Sequence, residues 1–174
     1  MNFVWKYQTP EGLDDIILSS NGFELNGLWF EGSQDDRKHN GEIYAKKLPI
    51  FEETTKWLDE YFGGKQPECN PKVNLGKMTP FRKEVFEIMK DIPYGQTMTY
   101  GEIAKIIAKK RGKNKMSSQA VGGAVGWNPI CIIFPCHRVV GNKGKLVGFG
   151  GGIKNKEMLL NLEKKFSDCE QKKD

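Results

Sequence analysis

Ile132-Ile133-Phe134-Pro135-Cys136-His137-Arg138-Val139-Val140 is the stretch that decides how this chain is read. The apolar run predicts a strand over 130–134, and a proline ends it just before the cysteine. A histidine, an arginine and two valines follow at once. The thiolate, not the thiol, is the nucleophilic form of cysteine, so a working cysteine needs a base or a cation beside it. Cys136 has both. Adjacent residues in a strand point to opposite faces. A proline-led turn removes that constraint and lets Cys136 and His137 share one pocket. A buried structural thiol in a core strand is the competing reading, and it is the commoner fate of cysteine.

The bulk properties narrow the field. The 174 residues suffice for one large domain or two small ones. Hydrophobic residues at 38% and charged residues at 28% match a soluble globular protein. The opening Met1-Asn2-Phe3-Val4-Trp5-Lys6 has no basic stretch leading into an apolar one, so no signal peptide is expected. No apolar run reaches the length that crosses a bilayer, and no membrane partner is expected. Cys69, Cys131, Cys136 and Cys169 form no Cys-x-x-Cys pair, and His39 and His137 lie far apart. That spacing argues against a zinc site, and a metal ligand set is not expected. Free thiols without a secretory leader point to a reducing, cytoplasmic setting. The net charge of +5 conceals an asymmetry: residues 1–70 hold 7 Lys/Arg and 13 Asp/Glu (−6), and residues 71–174 hold 20 and 9 (+11). The basic half suits a polyanion, nucleic acid foremost, although a solvated lysine-rich surface would look the same.

Along the chain, 3–7, 15–19 and 23–30 read as strands, with Asn21-Gly22 as a hairpin turn and Asn26-Gly27 as a bulge. Pro49 precedes a helix over 51–62 that Gly63-Gly64 stops. Gly, Pro and Asn over 63–77 mark a domain linker. Thr79-Pro80 caps a helix whose apolar face is Phe81, Val85, Phe86 and Met89. Thr99-Tyr100-Gly101-Glu102 is a capping box opening another helix. A lysine-rich connection, 109–115, leads to a short helix over 119–126 rich in Gly and Ala. A helix–connection–helix of that kind resembles a helix-turn-helix, and a tightly packed helix pair without a ligand is the bland alternative. Gly141 to Lys145 reads as a hairpin loop, 147–152 as a glycine-rich segment, and 154–165 as a helix carrying Met158, Leu159 and Leu162 inward.

Taken together, Pro135-Cys136-His137-Arg138-Val139-Val140, Ala120-Val121-Gly122-Gly123-Ala124, Asn128-Pro129 and Lys156-Glu157 leading into Leu159-Leu160 resemble the O6-alkylguanine-DNA alkyltransferases. This family is also called the methylated-DNA–protein-cysteine methyltransferases. The resemblance runs from about Thr79 to Glu163 and is faint before that. It implies an α/β protein: a small ribonuclease-H-like β/α domain over 1–70, a linker over 71–78, and a mainly helical winged helix-turn-helix domain over 79–174. It further implies a monomer that binds double-stranded DNA containing an alkylated guanine. The protein would flip the damaged base out, at a cost of a few kcal/mol, and take the alkyl group onto Cys136 once per molecule. The substrates implied are O6-alkylguanine and O4-alkylthymine, with no cofactor.

The same resemblance assigns roles. Glu163 would orient His137, which draws the Cys136 proton through water, and Asn128 would brace this network. Tyr100, Gln119, Ala120, Gly122, Gly123 and Arg138 would face DNA, by a minor-groove approach that suits small residues. Val139, Phe149 and Gly150 would line the substrate pocket. Without the resemblance, Glu163 reads as a solvated helix carboxylate, Asn128 as a turn residue and Tyr100 as surface packing. Two positions depart from the family pattern. Gln119 stands where an arginine often enters the space left by the flipped base, and Phe149 stands where a tyrosine often lines the pocket. A non-catalytic DNA lesion sensor, in which the cysteine is replaced, or a winged-helix regulator without chemistry, are the alternatives.

Overall fold

In the computed structural model, residues 2–39 and 43–171 are described. The first half builds a four-stranded mixed sheet in the order β3-β2-β1-β4, from β1 (Asn2–Tyr7), β2 (Ile16–Ser20), β3 (Leu25–Phe30) and β4 (Ile43–Ala45). β1–β2 and β2–β3 are antiparallel, and β4 lies parallel to β1. The turn between β2 and β3 holds Gly22 at φ +109°, a conformation that costs glycine little. Ser19 pairs with Gly27 and Ser20 with Leu25, so Asn26 is the extra residue of a bulge. Helix α1 (Pro49–Phe62) buries Ile50, Phe51, Thr54, Trp57, Leu58, Tyr61 and Phe62, one stripe at helical spacing. It begins two residues before its sequence pattern because proline is tolerated in a first turn.

The outer edge of β3 is not left open. Val73 pairs with Leu25, and the Asn74 amide donates to the Leu25 carbonyl at 2.8 Å. Further along, the Leu28 amide donates to the Pro129 carbonyl and the Cys131 amide to the Leu28 carbonyl, both at 3.0 Å. The two halves therefore share backbone pairing and one apolar core, from Leu18, Phe30 and Leu58 through to Ile103, Val121 and Leu159. Part of the stretch read as a linker is itself hydrogen-bonded to the sheet.

The second half comprises α2 (Pro80–Met89), β5 (Met98–Thr99), α3 (Tyr100–Lys110), α4 (Ser118–Gly126), β6 (Val139–Val140) and α5 (Ile153–Gln171). The Thr79 hydroxyl accepts from the Arg82 amide. Thr99 and Glu102 form both halves of the capping box, and Ser117 caps α4. Three expectations are corrected. Residues 130–134 do not form a continuous strand: Ile130 pairs with Leu28 and Cys131 with Phe134, across a reversal that holds Ile132 at φ +67°. A β-branched residue there carries backbone strain of about 1–3 kcal/mol, and a buried turn and a buried strand share the same apolar composition. The loop after β6 turns, with the Gly141 amide donating to the Lys145 carbonyl, but no returning strand follows, because β6 pairs in parallel with β5. α5 continues to Gln171, past its apolar stripe. No helix among the described residues is long and apolar enough to cross a membrane.

Candidate active site

Cys136 opens a short 3-10 turn, Cys136–Arg138, that runs directly into β6. Met98 pairs with Val139 and Thr99 with Val140, and Thr99 caps α3. The cysteine turn and Tyr100, the first residue of α3, are thereby held in register. Val139 is fully buried, and its carbonyl accepts from Lys156 Nζ of α5 at 2.6 Å.

Glu163 is the centre of a buried polar cluster. His137 Nε2 and Glu163 Oε1 are 2.7 Å apart, and the Tyr61 hydroxyl donates to Oε1 at 2.7 Å. The Gly95 amide donates to Oε2 at 3.1 Å. Arg138 clasps the same carboxylate through Nε at 3.0 Å and Nη2 at 2.9 Å. Burial opposes ionisation of Glu163, but the His137 ring and the Arg138 guanidinium outweigh it and hold the carboxyl at about 2. Burial lowers the pKa of His137, against the pull of Glu163. At neutral pH the ring is therefore neutral. With Nε2–H donating to the carboxylate, Nδ1 presents a lone pair and has no protein partner among the described residues. Arg138 does not face DNA as expected. It is buried, and Nη1 and Nη2 also donate to the Ile92 carbonyl (2.8 Å) and the Gln66 side chain (3.0 Å). The carboxylate delivered by α5 captures the guanidinium inside the protein.

Cys136 is buried, 4% exposed. A hydrogen bond from the Cys131 thiol lowers its pKa; burial opposes this, and the Asn128 amide supports it. Asn128 also joins the two sides of the turn, donating to the Phe134 carbonyl (2.9 Å) and accepting from the Ile130 amide (3.0 Å). Asp35 and Lys38, from the 3-10 segment Gln34–Lys38 after β3, close the site from the first half of the chain. Lys38 Nζ bonds Asp35 (2.7 Å) and donates to the carbonyls of Gly126 (2.6 Å) and Asn128 (3.2 Å).

The cavity against Cys136 is lined by Asp35, Lys38, Tyr100, Asn128, Phe149 and Gly150, among others, and holds about 10 Å³. That is space for roughly one water. Beside it, a groove of about 650 Å³ runs between Tyr100, Gln119, Gly122, Gly141, Val147 and Gly148. Tyr100 and Gly148 line both. Gln119, Ala120 and Gly123 are exposed and Gly122 is half-buried. A Cβ added at Gly123 would meet no protein atom, and one at Gly122 would meet only the Tyr100 ring at 3.9 Å. Packing within the chain does not require these glycines. Arg111, counted among the basic residues of the connection, is instead held by Glu84 through Nε and Nη2 and lies over the Phe81 ring.

Residues 80–165 match the family model described as 6-O-methylguanine DNA methyltransferase, DNA binding domain. A methylated-DNA–protein-cysteine methyltransferase of Haemophilus influenzae is 36% identical over 91% of this chain and 84% of its own length. The chain belongs to the methylated-DNA–protein-cysteine methyltransferase family. Another member, from Methanosarcina acetivorans, is 47% identical over 70% of this chain and 74% of its own. Among solved structures, the Mycobacterium tuberculosis OGT in complex with DNA superposes with a TM-score of 0.76 at 33% identity, covering 95% of this chain and 93% of that one.

Several residues of this methyltransferase-family site escaped the sequence reading. Asp35, Lys38, Tyr61 and Gln66 come from the first half, and no local pattern announces them. Lys156 could have been found. It is spaced three and seven residues from Leu159 and Glu163, so all three share the buried face of α5, where a lysine and a glutamate are out of place.

Proposed function

We propose that this protein repairs DNA by direct, single-turnover transfer of a methyl or other alkyl group from O6-alkylguanine, and from O4-alkylthymine, onto Sγ of Cys136. The observation that carries the reading is a cysteine followed by a histidine whose Nε2 lies 2.7 Å from the Glu163 carboxylate, with the cysteine lining a cavity that adjoins an exposed groove. Family membership supports the same reaction.

The steps follow from the groups present. The Cys136 proton passes through one water to His137 Nδ1, and Glu163 stabilises the imidazolium that forms. The thiolate attacks the alkyl carbon, a C–S bond forms, and the C–O bond to the base breaks with its electron pair leaving on the oxygen. The Tyr100 hydroxyl donates to the leaving base. Burial and the Cys136 charge raise the pKa of Tyr100, which keeps its proton available for that donation. A thioether is a poor leaving group without an ionisable proton, so each molecule reacts once, and no cofactor enters the chemistry.

The target base must be extruded, since its alkyl carbon is unreachable within the stack. Gln119, Ala120, Gly122 and Gly123 would approach the minor groove. Phe149 and Gly150 would form the pocket wall and must shift, because about 10 Å³ cannot admit a purine. We divide the chain functionally at 71–78, and the Asp35–Lys38 pair gives the first part a direct share in the pocket wall. One chain supplies every group named, which suits a monomer, and a reactive free thiol suits the reducing cytoplasm.

Incubation with DNA containing O6-methylguanine tests the proposal. One methyl mass should appear on the peptide holding Cys136. Cys136→Ala should abolish transfer while DNA binding survives. An unmodified Cys136 after long exposure to excess substrate would reject it.

A further inference from the structure

We propose that Cys131 is the resolving partner of Cys136, so that peroxide converts the pair to an intramolecular disulfide that a thiol reductant reopens. The two cysteines stand at the two ends of the reversal around Ile132. Cys131 pairs back on Phe134, and the Cys136 amide donates to the Phe134 carbonyl at 2.8 Å. This doubling of the chain places both cysteines in one buried core, and Asp35, which lines the cavity against Cys136, also reaches Cys131. The Cys131 thiol donates to Asp35 Oδ2 at 3.6 Å. The remaining thiols, Cys69 and Cys169, are exposed and outside this space.

The chemistry needs one sulfur that oxidises readily and a protonated neighbour that waits. The hydrogen bond to Cys136, reinforced by burial, pushes the Cys131 thiol far above its ordinary range, while Cys136 moves the opposite way. A hydroperoxide is the oxidant. The Cys136 thiolate attacks its oxygen, taking up a proton and releasing water, and becomes a sulfenic acid. Cys131 sulfur then attacks the Cys136 sulfur; the S–O bond breaks, and the Cys131 proton leaves with the hydroxide as a second water. The Asp35 carboxylate is placed to pass that proton on. In sum, two thiols lose two electrons and two protons to the peroxide. Without a resolving thiol, a sulfenic acid proceeds to sulfinic acid, which thiols do not reverse. A protein that uses its sulfur once gains from a device that keeps an oxidised sulfur recoverable.

The test treats the full chain with hydrogen peroxide, maps peptides without reduction, and measures alkyl transfer before treatment, after it, and after dithiothreitol. Cys131→Ser and Cys131→Ala are run alongside, each compared with its own untreated rate, so that a folding defect in one variant does not decide the result. The expected outcome is a Cys131–Cys136 linked peptide in the unsubstituted protein, with transfer lost and then restored by reduction. In both variants the loss should persist after reduction and Cys136 should carry sulfinic acid. A sulfenic acid at Cys136 that persists and is trapped by dimedone, a linkage to Cys69 or Cys169, or equal recovery in the variants would overturn the proposal. If the untreated protein fails to accept an alkyl group yet the disulfide forms, the transfer reading falls and this one stands.

Discussion

Replacing Glu163 by glutamine removes one charge from the middle of the buried cluster and leaves its shape. The carboxyl sits at about 2 in place of its ordinary 4.5, which corresponds to about 3–4 kcal/mol at about 1.4 kcal/mol per pH unit. The folded-state pKa is depressed, so this stabilisation is fully present above pH 4.5 and drains away as pH falls toward 2. Breaking a buried ion pair by removing one partner costs roughly 3–5 kcal/mol, in the same range. Urea unfolding of the two proteins at matched pH isolates the effect, since the other carboxylates cancel. Glu163→Gln should be less stable by about 3–4 kcal/mol at neutral pH. The gap should shrink steadily below pH 4.5. The rate of alkyl transfer should fall by about 10²-fold, because the imidazolium loses its carboxylate. A gap that stays the same from neutral pH to about pH 3, or one below about 1 kcal/mol throughout, would show that Glu163 is not held ionised by His137 and Arg138.

Other perturbations separate the roles of neighbouring residues. Arg138→Gln should destabilise the fold by roughly 3–5 kcal/mol, since it leaves the buried Glu163 carboxylate without its cation; the salt dependence of DNA binding should not change, and a slope lowered by about one would restore Arg138 to the DNA surface. Gln119→Arg adds a cation at the groove and should tighten DNA binding and steepen its salt dependence by about one unit; unchanged affinity and slope would count against the placement of α4. Gly123→Val, where an added Cβ meets no protein atom, should leave thermal unfolding within a few degrees of the parent and weaken DNA binding. Equal losses in folding and binding would mean that the glycine serves internal packing.

The helices were legible because their signals are local. The capping box at Thr99–Glu102, the Thr79-Pro80 start and the apolar stripe of α1 each depend on residues within a few positions. The hairpin turn at Asn21-Gly22 belongs with them. The segment 130–134 was misread because an apolar run reports burial and not direction. Pairing with Leu28 on one side and Phe134 on the other decides that it reverses. Arg138 was misassigned for a related reason: a cation next to the reactive cysteine suits a phosphate or a buried carboxylate equally well. The carboxylate that settles the question stands 25 residues later on α5.

From residue order alone came the nucleophile, its adjacent histidine, the helix pair before them and the family they resemble, since these lie in short contiguous motifs. Tertiary structure decided which groups surround the sulfur. Asp35 and Lys38 reach it from the 3-10 segment after β3, Cys131 through a strained reversal, and Tyr61 and Glu163 through two helices that meet over His137. The physical reason is range. Helix starts and turns are settled by neighbours in sequence, whereas the ionisation of a buried sulfur or carboxylate is settled by whatever charge and hydrogen bonds the folded chain brings within a few ångströms.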